Sequence, residues 1–174
     1  MINFTRKPRY GYEDLLEIIR LLRSPEGCPW DRVQTHQSIR RGMLEDIIPK
    51  YVDILFSNES EAEAFTGQKA AEAVHTLSEL VEVSLVTLGK EGALIGSHGQ
   101  FYSVPAEGGK PVDTTGAGDN FAAGFLYGQS IGASLVQSAR IGSMLAGYVI
   151  DVVGPEIPYD KWEQIKLKVK GILA

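Results

Sequence analysis

A single cysteine, Cys28, leaves this chain of 174 residues with no intramolecular disulfide and no multi-cysteine metal site. No run of 18 apolar residues occurs, so no transmembrane helix is expected. The opening residues Met1–Arg9 carry charge, but no apolar stretch of signal-peptide length follows them, which makes the cytoplasm the expected compartment. Positive charge is scarce in the main body: residues 51–174 hold eight Lys and Arg against fifteen Asp and Glu, while residues 1–50 hold nine against seven. An acidic body argues against nucleic acid as a partner. Any phosphate ligand must then be met by local backbone dipoles rather than by a bulk positive field. Internal repeats and low-complexity segments are also missing. The chain does have 44% hydrophobic residues and 19 glycines, a composition that fits a globular protein with one main core and many tight turns.

Two grammars divide the chain. In the first, Leu15, Ile18, Ile19 and Leu22 recur at helical spacing and predict a helix over 12–23, ended by Ser24-Pro25-Glu26-Gly27. A second helix is expected from Gln37 to Ile48, with Pro49 closing it and a loop braced by Pro29 and Trp30 between the two. After Pro49, strands alternate with helices. Residues 52–56 and 83–87 read as buried strands, and 93–96 with 100–104 as a hairpin turned at Ser97-His98-Gly99. Helices are expected over 59–66, 69–80, 118–129, 134–149 and 159–172. Such alternation gives an α/β class with a partly parallel sheet.

The chemistry concentrates in Asp113-Thr114-Thr115-Gly116-Ala117-Gly118-Asp119, a glycine-rich turn that runs into a helix of small residues. Gly116 and Gly118 are expected to take backbone angles closed to other residues, so that consecutive N–H groups converge on one point. The positive end of the helix aims at the same point, which suits an anion. Asp119, in the first turn, is placed to take a proton from a hydroxyl that attacks a phosphate. Two further segments stand upstream: Asn58-Glu59-Ser60-Glu61 after the first strand, and Val86-Thr87-Leu88-Gly89-Lys90-Glu91-Gly92 at the end of the second. Each has a plainer reading, since Asn58 and Glu61 also fit a helix capping box and Gly89 and Gly92 also fit a tight turn. His75 and His98 read as surface residues, without partners to make them ligands.

In order and spacing these three segments resemble the PfkB (ribokinase) family of carbohydrate and nucleoside kinases. That resemblance implies an anion hole at Thr115, Gly116, Ala117 and Gly118, and Asp119 as catalytic base. It further implies Thr87, Gly89 and Thr114 near the nucleotide, Asn58 and Glu61 organising magnesium, and ATP with Mg2+ as the cofactors. The run Asp119–Gly128 looks similar to adenosine-kinase-like members. Residues 12–46, with Cys28-Pro29-Trp30-Asp31 and Gln34-Thr35-His36, instead resemble the opening of MazG nucleoside triphosphate pyrophosphohydrolases. Of that family's paired acidic motifs only Leu44-Glu45-Asp46 is present, too few carboxylates to hold magnesium beside a triphosphate.

The expected protein is therefore an apparent chimera: a MazG-like helical fragment over 1–48, then a PfkB-like ATP-binding region over 49–174. Its expected fold is a partial ribokinase-like α/β sheet with flanking helices, preceded by the helical N-terminal segment. The expected activity is transfer of the ATP γ-phosphate to a hydroxyl of a small-molecule sugar or nucleoside. Complete family members are longer, so the acceptor-binding part is expected to be missing and self-association into a homo-oligomer is open. Two alternatives stand beside it: a catalytically inactive nucleotide-binding module, and a nucleoside triphosphate pyrophosphohydrolase.

Overall fold

The computed structural model describes residues 7–42, 46–108 and 110–174, and the chain divides into two compact units, 1–51 and 52–174. In the first unit α1 spans Tyr12–Leu22, within a residue of its expected limits. Asp14 accepts a hydrogen bond from the Gly11 N–H at 2.9 Å, so the N-terminus is capped by a side chain three residues on. Residues 29–33, expected as loop, form a short helix α2 (Pro29–Val33) with Pro29 at its first position, where a missing N–H costs nothing. Helix α3 covers His36–Gly42. Pro49 does not close a helix; it lies inside α4 (Ile48–Tyr51), again in a first turn. Leu44 and Glu45 of the acidic remnant lie outside the described residues. Trp30 is 67% exposed, which removes the expected role of an aromatic brace.

The second unit is a three-layer arrangement around a four-stranded sheet, order β1-β2-β3-β4. Strand β1 (Ile54–Asn58) runs parallel to β2 (Val83–Thr87), while β3 (Ala93–Ser97) and β4 (Gln100–Val104) follow antiparallel. β1 begins two residues later than its apolar run predicts. Its register, Ile54 opposite Val83 through Asn58 opposite Thr87, carries the strand up to the residue that caps the next helix. The hairpin turns on His98 (φ 47°) and Gly99 (φ 75°), the pair of left-handed residues a tight two-residue turn needs.

Alternation along the strands separates two cores. On one face Leu55 and Val86 pack with Ala62, Ala73, Val74 and Leu77 of α5 (Glu59–Thr66) and α6 (Ala70–Ser78). On the other face Phe56 and Leu85 pack with Phe121 and Phe125 of α7 (Ala117–Ser130) and Ala139 of α8 (Leu135–Val149). Phe56 meets Phe125 edge-on at 5.6 Å between ring centroids. A third cluster joins α8 to α9 (Trp162–Leu173) through Ile141, Met144, Ile165 and Val169. Among the described residues no helix is long and apolar enough to cross a membrane.

These burials set opposite expectations for two aromatic truncations. Phe125 is fully buried, and Phe125→Ala should destabilise the protein by about 3–5 kcal/mol. Trp30→Ala should stay within about 0.5 kcal/mol of wild type, as a surface change does. Urea unfolding of the two variants checks this; a large loss for Trp30→Ala would mean that its ring is covered in solution.

Candidate active site

Register places Asn58, Thr87, Ala93 and Val104 side by side along one edge of the sheet. The parallel strands β1 and β2 end there, and β2 is the strand at which pairing changes from parallel to antiparallel. In open α/β sheets, ligands bind at such an edge. Pro105 follows Val104, and Ser143 on α8 ties it down: the Ser143 hydroxyl donates to the Pro105 carbonyl at 2.8 Å and accepts from the Glu107 N–H at 2.9 Å. One residue earlier, Gly142 lies against α7, where a Cβ would stand 2.5 Å from the Phe121 carbonyl oxygen. The first turn of α7 is thereby held at the same edge of the sheet as Asn58 and Thr87.

That first turn is shaped by two side chains the sequence reading did not single out. Asp113 accepts from the Thr115 N–H at 2.9 Å and, with its other oxygen, from the Gly154 N–H at 2.9 Å. The Asn120 amide donates to the carbonyls of Gly116 (3.0 Å) and Pro155 (3.2 Å). Together they pin the glycine-rich turn to the turn after α8. An Asp ahead of a glycine-rich turn is an Asx-turn signal, because its side chain can accept from the backbone N–H two residues on, and this could have marked Asp113 in advance. Hydrogen bonds from Gly154 first, then Thr115, hold the Asp113 carboxyl below its ordinary range.

Gly116 caps α7 in the left-handed region (φ 78°), and a Cβ there would stand 2.7 Å from the Pro155 Cβ. Gly118 departs from the expectation. It is the second residue of the helix with helical angles and open space around it, so it leaves the approach clear rather than supplying an unusual backbone. Among the described residues the N–H groups of Gly116, Gly118 and Asp119 have no hydrogen-bond partner, whereas Ala117 N–H donates to Thr114 at 3.2 Å. Thr114, Thr115, Gly118 and Asp119 are exposed, and Ala117 is half-buried. The turn thus offers three free donors beside an exposed carboxylate at a helix N-terminus.

Asn58 and Glu61 form the capping box of α5: the Glu61 N–H donates to Asn58 Oδ1 and the Asn58 N–H to Glu61 Oε2, both at 2.9 Å. Thr87 donates its hydroxyl hydrogen to the Ser57 carbonyl at 3.3 Å. Gly89 (φ 54°) opens a single 3-10 turn, closed by Gly92 (φ 101°), whose Cβ would fall 1.9 Å from the Val104 carbonyl. No hydrogen bond joins Asn58, Glu61, Thr87 or Gly89 to the 113–119 turn among the described residues. Nor do three His, Cys, Asp or Glu side chains gather into a metal group there. The capping box leaves one Glu61 oxygen without a hydrogen bond, which fits a magnesium ion held by one carboxylate, water and phosphate oxygens rather than by an all-protein cage.

An open cavity of about 270 Å³ lies against the C-terminal end of α8, lined by Glu107, Tyr148, Asp151, Val152, Lys161 and Lys168 among others. Ile150, one position before the lining residue Asp151, accepts from the Val112 and Asp113 N–H groups at 2.7 and 3.3 Å, which ties the end of α8 to the start of the turn.

An α/β protein with unpartnered helix N-terminal amides at the carboxyl edge of its sheet is the class these features define. The pattern described as "pfkB family carbohydrate kinase" matches residues 11–162, and the chain belongs to that family. The chain is 38% identical over 109 residues to a cytidine kinase of Thermococcus kodakarensis, covering 59% of this chain and 38% of that protein. An adenosine kinase of Saccharomyces cerevisiae is 35% identical over 132 residues, covering 68% and 38% respectively. Among solved structures, a probable sugar kinase from Rhizobium etli superposes with a TM-score of 0.70 at 34% identity, over 78% of this chain and 41% of that one. The fold is accordingly ribokinase-like, with a partial four-stranded sheet, and the chain spans about two fifths of the length of these relatives.

The Asp113 brace makes a pH prediction. Its folded pKa is depressed, so its contribution is fully present above the unfolded value of about 3.9 and is lost as pH falls through the lower folded value. Asp113→Asn should melt below wild type at neutral pH, and the gap should close in acid. Thermal melts across pH test this, and a gap that persists at the acid end would show that the brace is not ionic.

Proposed function

We propose that this chain carries the ATP-binding, phosphoryl-transfer region of a kinase acting on a hydroxyl of a sugar or nucleoside. The observation that carries the reading is the trio of unpartnered N–H groups on Gly116, Gly118 and Asp119 opening α7 beside the exposed Asp119 carboxylate. Those three donors meet the phosphate oxygens where charge develops during transfer, while Thr115 and Ala117, whose N–H groups are tied to Asp113 and Thr114, shape the turn around them. Asp119 takes the proton of the acceptor hydroxyl as that oxygen forms its bond to the γ-phosphorus and the bond to ADP breaks. Thr114 borders the polyphosphate, Thr87 and Gly89 border the nucleotide from the sheet edge, and the α8 cavity receives the base. Asn58 and Glu61 would hold magnesium, which when bound neutralises charge on the β- and γ-phosphates. The likeness of Asp119–Gly128 to adenosine-kinase-like members supports a nucleoside acceptor.

The domain reading is also our proposal: a PfkB-like region over 49–174 preceded by a MazG-like helical fragment over 1–48. It rests on the Cys28-Pro29-Trp30-Asp31 and Gln34-Thr35-His36 motifs. We assign that fragment no pyrophosphohydrolase chemistry.

Product analysis tests the activity. Any transfer from ATP to a panel of sugar and nucleoside acceptors should yield ADP and a phosphorylated acceptor, at a low rate for a chain expected to lack the acceptor-binding part, and Asp119→Asn should lose at least about 100-fold of that rate while binding a non-hydrolysable ATP analogue nearly as well. Nucleoside monophosphate and pyrophosphate as products, or unchanged turnover in the variant, would sink the assignment.

Self-association is proposed from the sheet. Among the described residues the outer edge of β1 has no partner strand, and an open strand edge is a template for pairing with another chain. Light scattering after size exclusion should give a mass above one chain; a strictly monomeric protein at working concentration rejects it.

A further inference from the structure

Tyr148 contributes a ring to the cluster that α8 and α9 share, yet its hydroxyl is buried without a hydrogen-bond partner. It is the only buried side-chain polar atom in that condition among the described residues. Phenylalanine would serve the packing equally and leave no orphaned oxygen, so in the free protein the hydroxyl lowers stability. Tyr148 also lines the cavity at the end of α8. Over its ring sits the Lys168 ammonium, 5.0 Å from the centroid, and this contact at the end of a flexible side chain is easily exchanged. Lys161, Lys168 and Asp151, which also line the cavity, supply donors and an acceptor, the mixture that meets the edge of a nucleobase.

We propose that Tyr148 reads the base of the nucleotide: Lys168 moves off the ring when the nucleotide enters, and the hydroxyl then hydrogen-bonds a heteroatom of the base. This rests on the cavity being the base site of the phosphoryl donor. The orphaned oxygen is then a group kept unpaired in the free protein and paired in the complex, a loss of stability retained for binding.

The test pairs two ligands with two measurements. Calorimetry of wild type and Tyr148→Phe uses a non-hydrolysable ATP analogue and inorganic tripolyphosphate, which presents the phosphates without a base. Tyr148→Phe should bind the ATP analogue about three- to tenfold more weakly, with tripolyphosphate affinity unchanged. Without ligand, its melting temperature should rise by about 3–6 °C as the unpaired hydroxyl is removed. Equal affinity of the two proteins for the ATP analogue overturns the role of Tyr148 and leaves the nucleotide site standing. Equal losses for both ligands also overturn it, since the substitution would then act on the phosphate turn. A wild type that binds neither ligand takes down this inference together with the function it rests on.

Discussion

Helix α7 can present its N-terminal amides at the sheet edge only because it lies against α8 at a distance that no side chain allows. A Cβ on Gly124 would stand 2.7 Å from the Gly142 Cα, and one on Gly128 would stand 2.5 Å from the Ser138 hydroxyl oxygen. On its other side the helix drives Phe121 and Phe125 into the sheet core. Wedged between a glycine-lined neighbour and an aromatic floor, α7 has little freedom to slide, and its first turn inherits that rigidity. Preorganised donors of this kind need no reorganisation when charge develops before them.

Asp113 and Asn120 extend the constraint from packing to hydrogen bonding. Both connect the glycine-rich turn with residues 154–155, and Val112 and Asp113 connect it with Ile150, so the turn and the far end of α8 form one network. The cavity wall belongs to the same stretch of chain. A short, continuous set of hydrogen bonds therefore joins the amide cluster to the end of α8.

Much of this was legible in the sequence, for local reasons. The strand 83–87 and the helix 59–66 with its Gly67 stop carry their boundaries in their own residues, and both appear as expected. Asn58-x-x-Glu61 reads equally as a cap and as a metal segment; the cap is what the structure displays, and the metal role stays a proposal. What could not be read depends on contacts between distant segments. Nothing near Ile54 says that its strand should start two residues late, because the register comes from β2. Trp30 looks like a core residue by type and is exposed by context. Gly118 resembles Gly116 in sequence, but only Gly116 abuts Pro155 and takes a left-handed angle. The role of Asp113 required sight of Gly154, 41 positions away.

A donor cluster made of main-chain amides has a bearing on how such a protein can drift. Side-chain replacement cannot delete an N–H group, short of proline; it can only tilt the helix that carries it. The substitutions that would disturb such a cluster are those at the glycines and at the braces behind it, Asp113 and Asn120. A scaffold built this way leaves room for different ligands beside a constant main-chain cluster, in keeping with relatives named cytidine kinase and adenosine kinase.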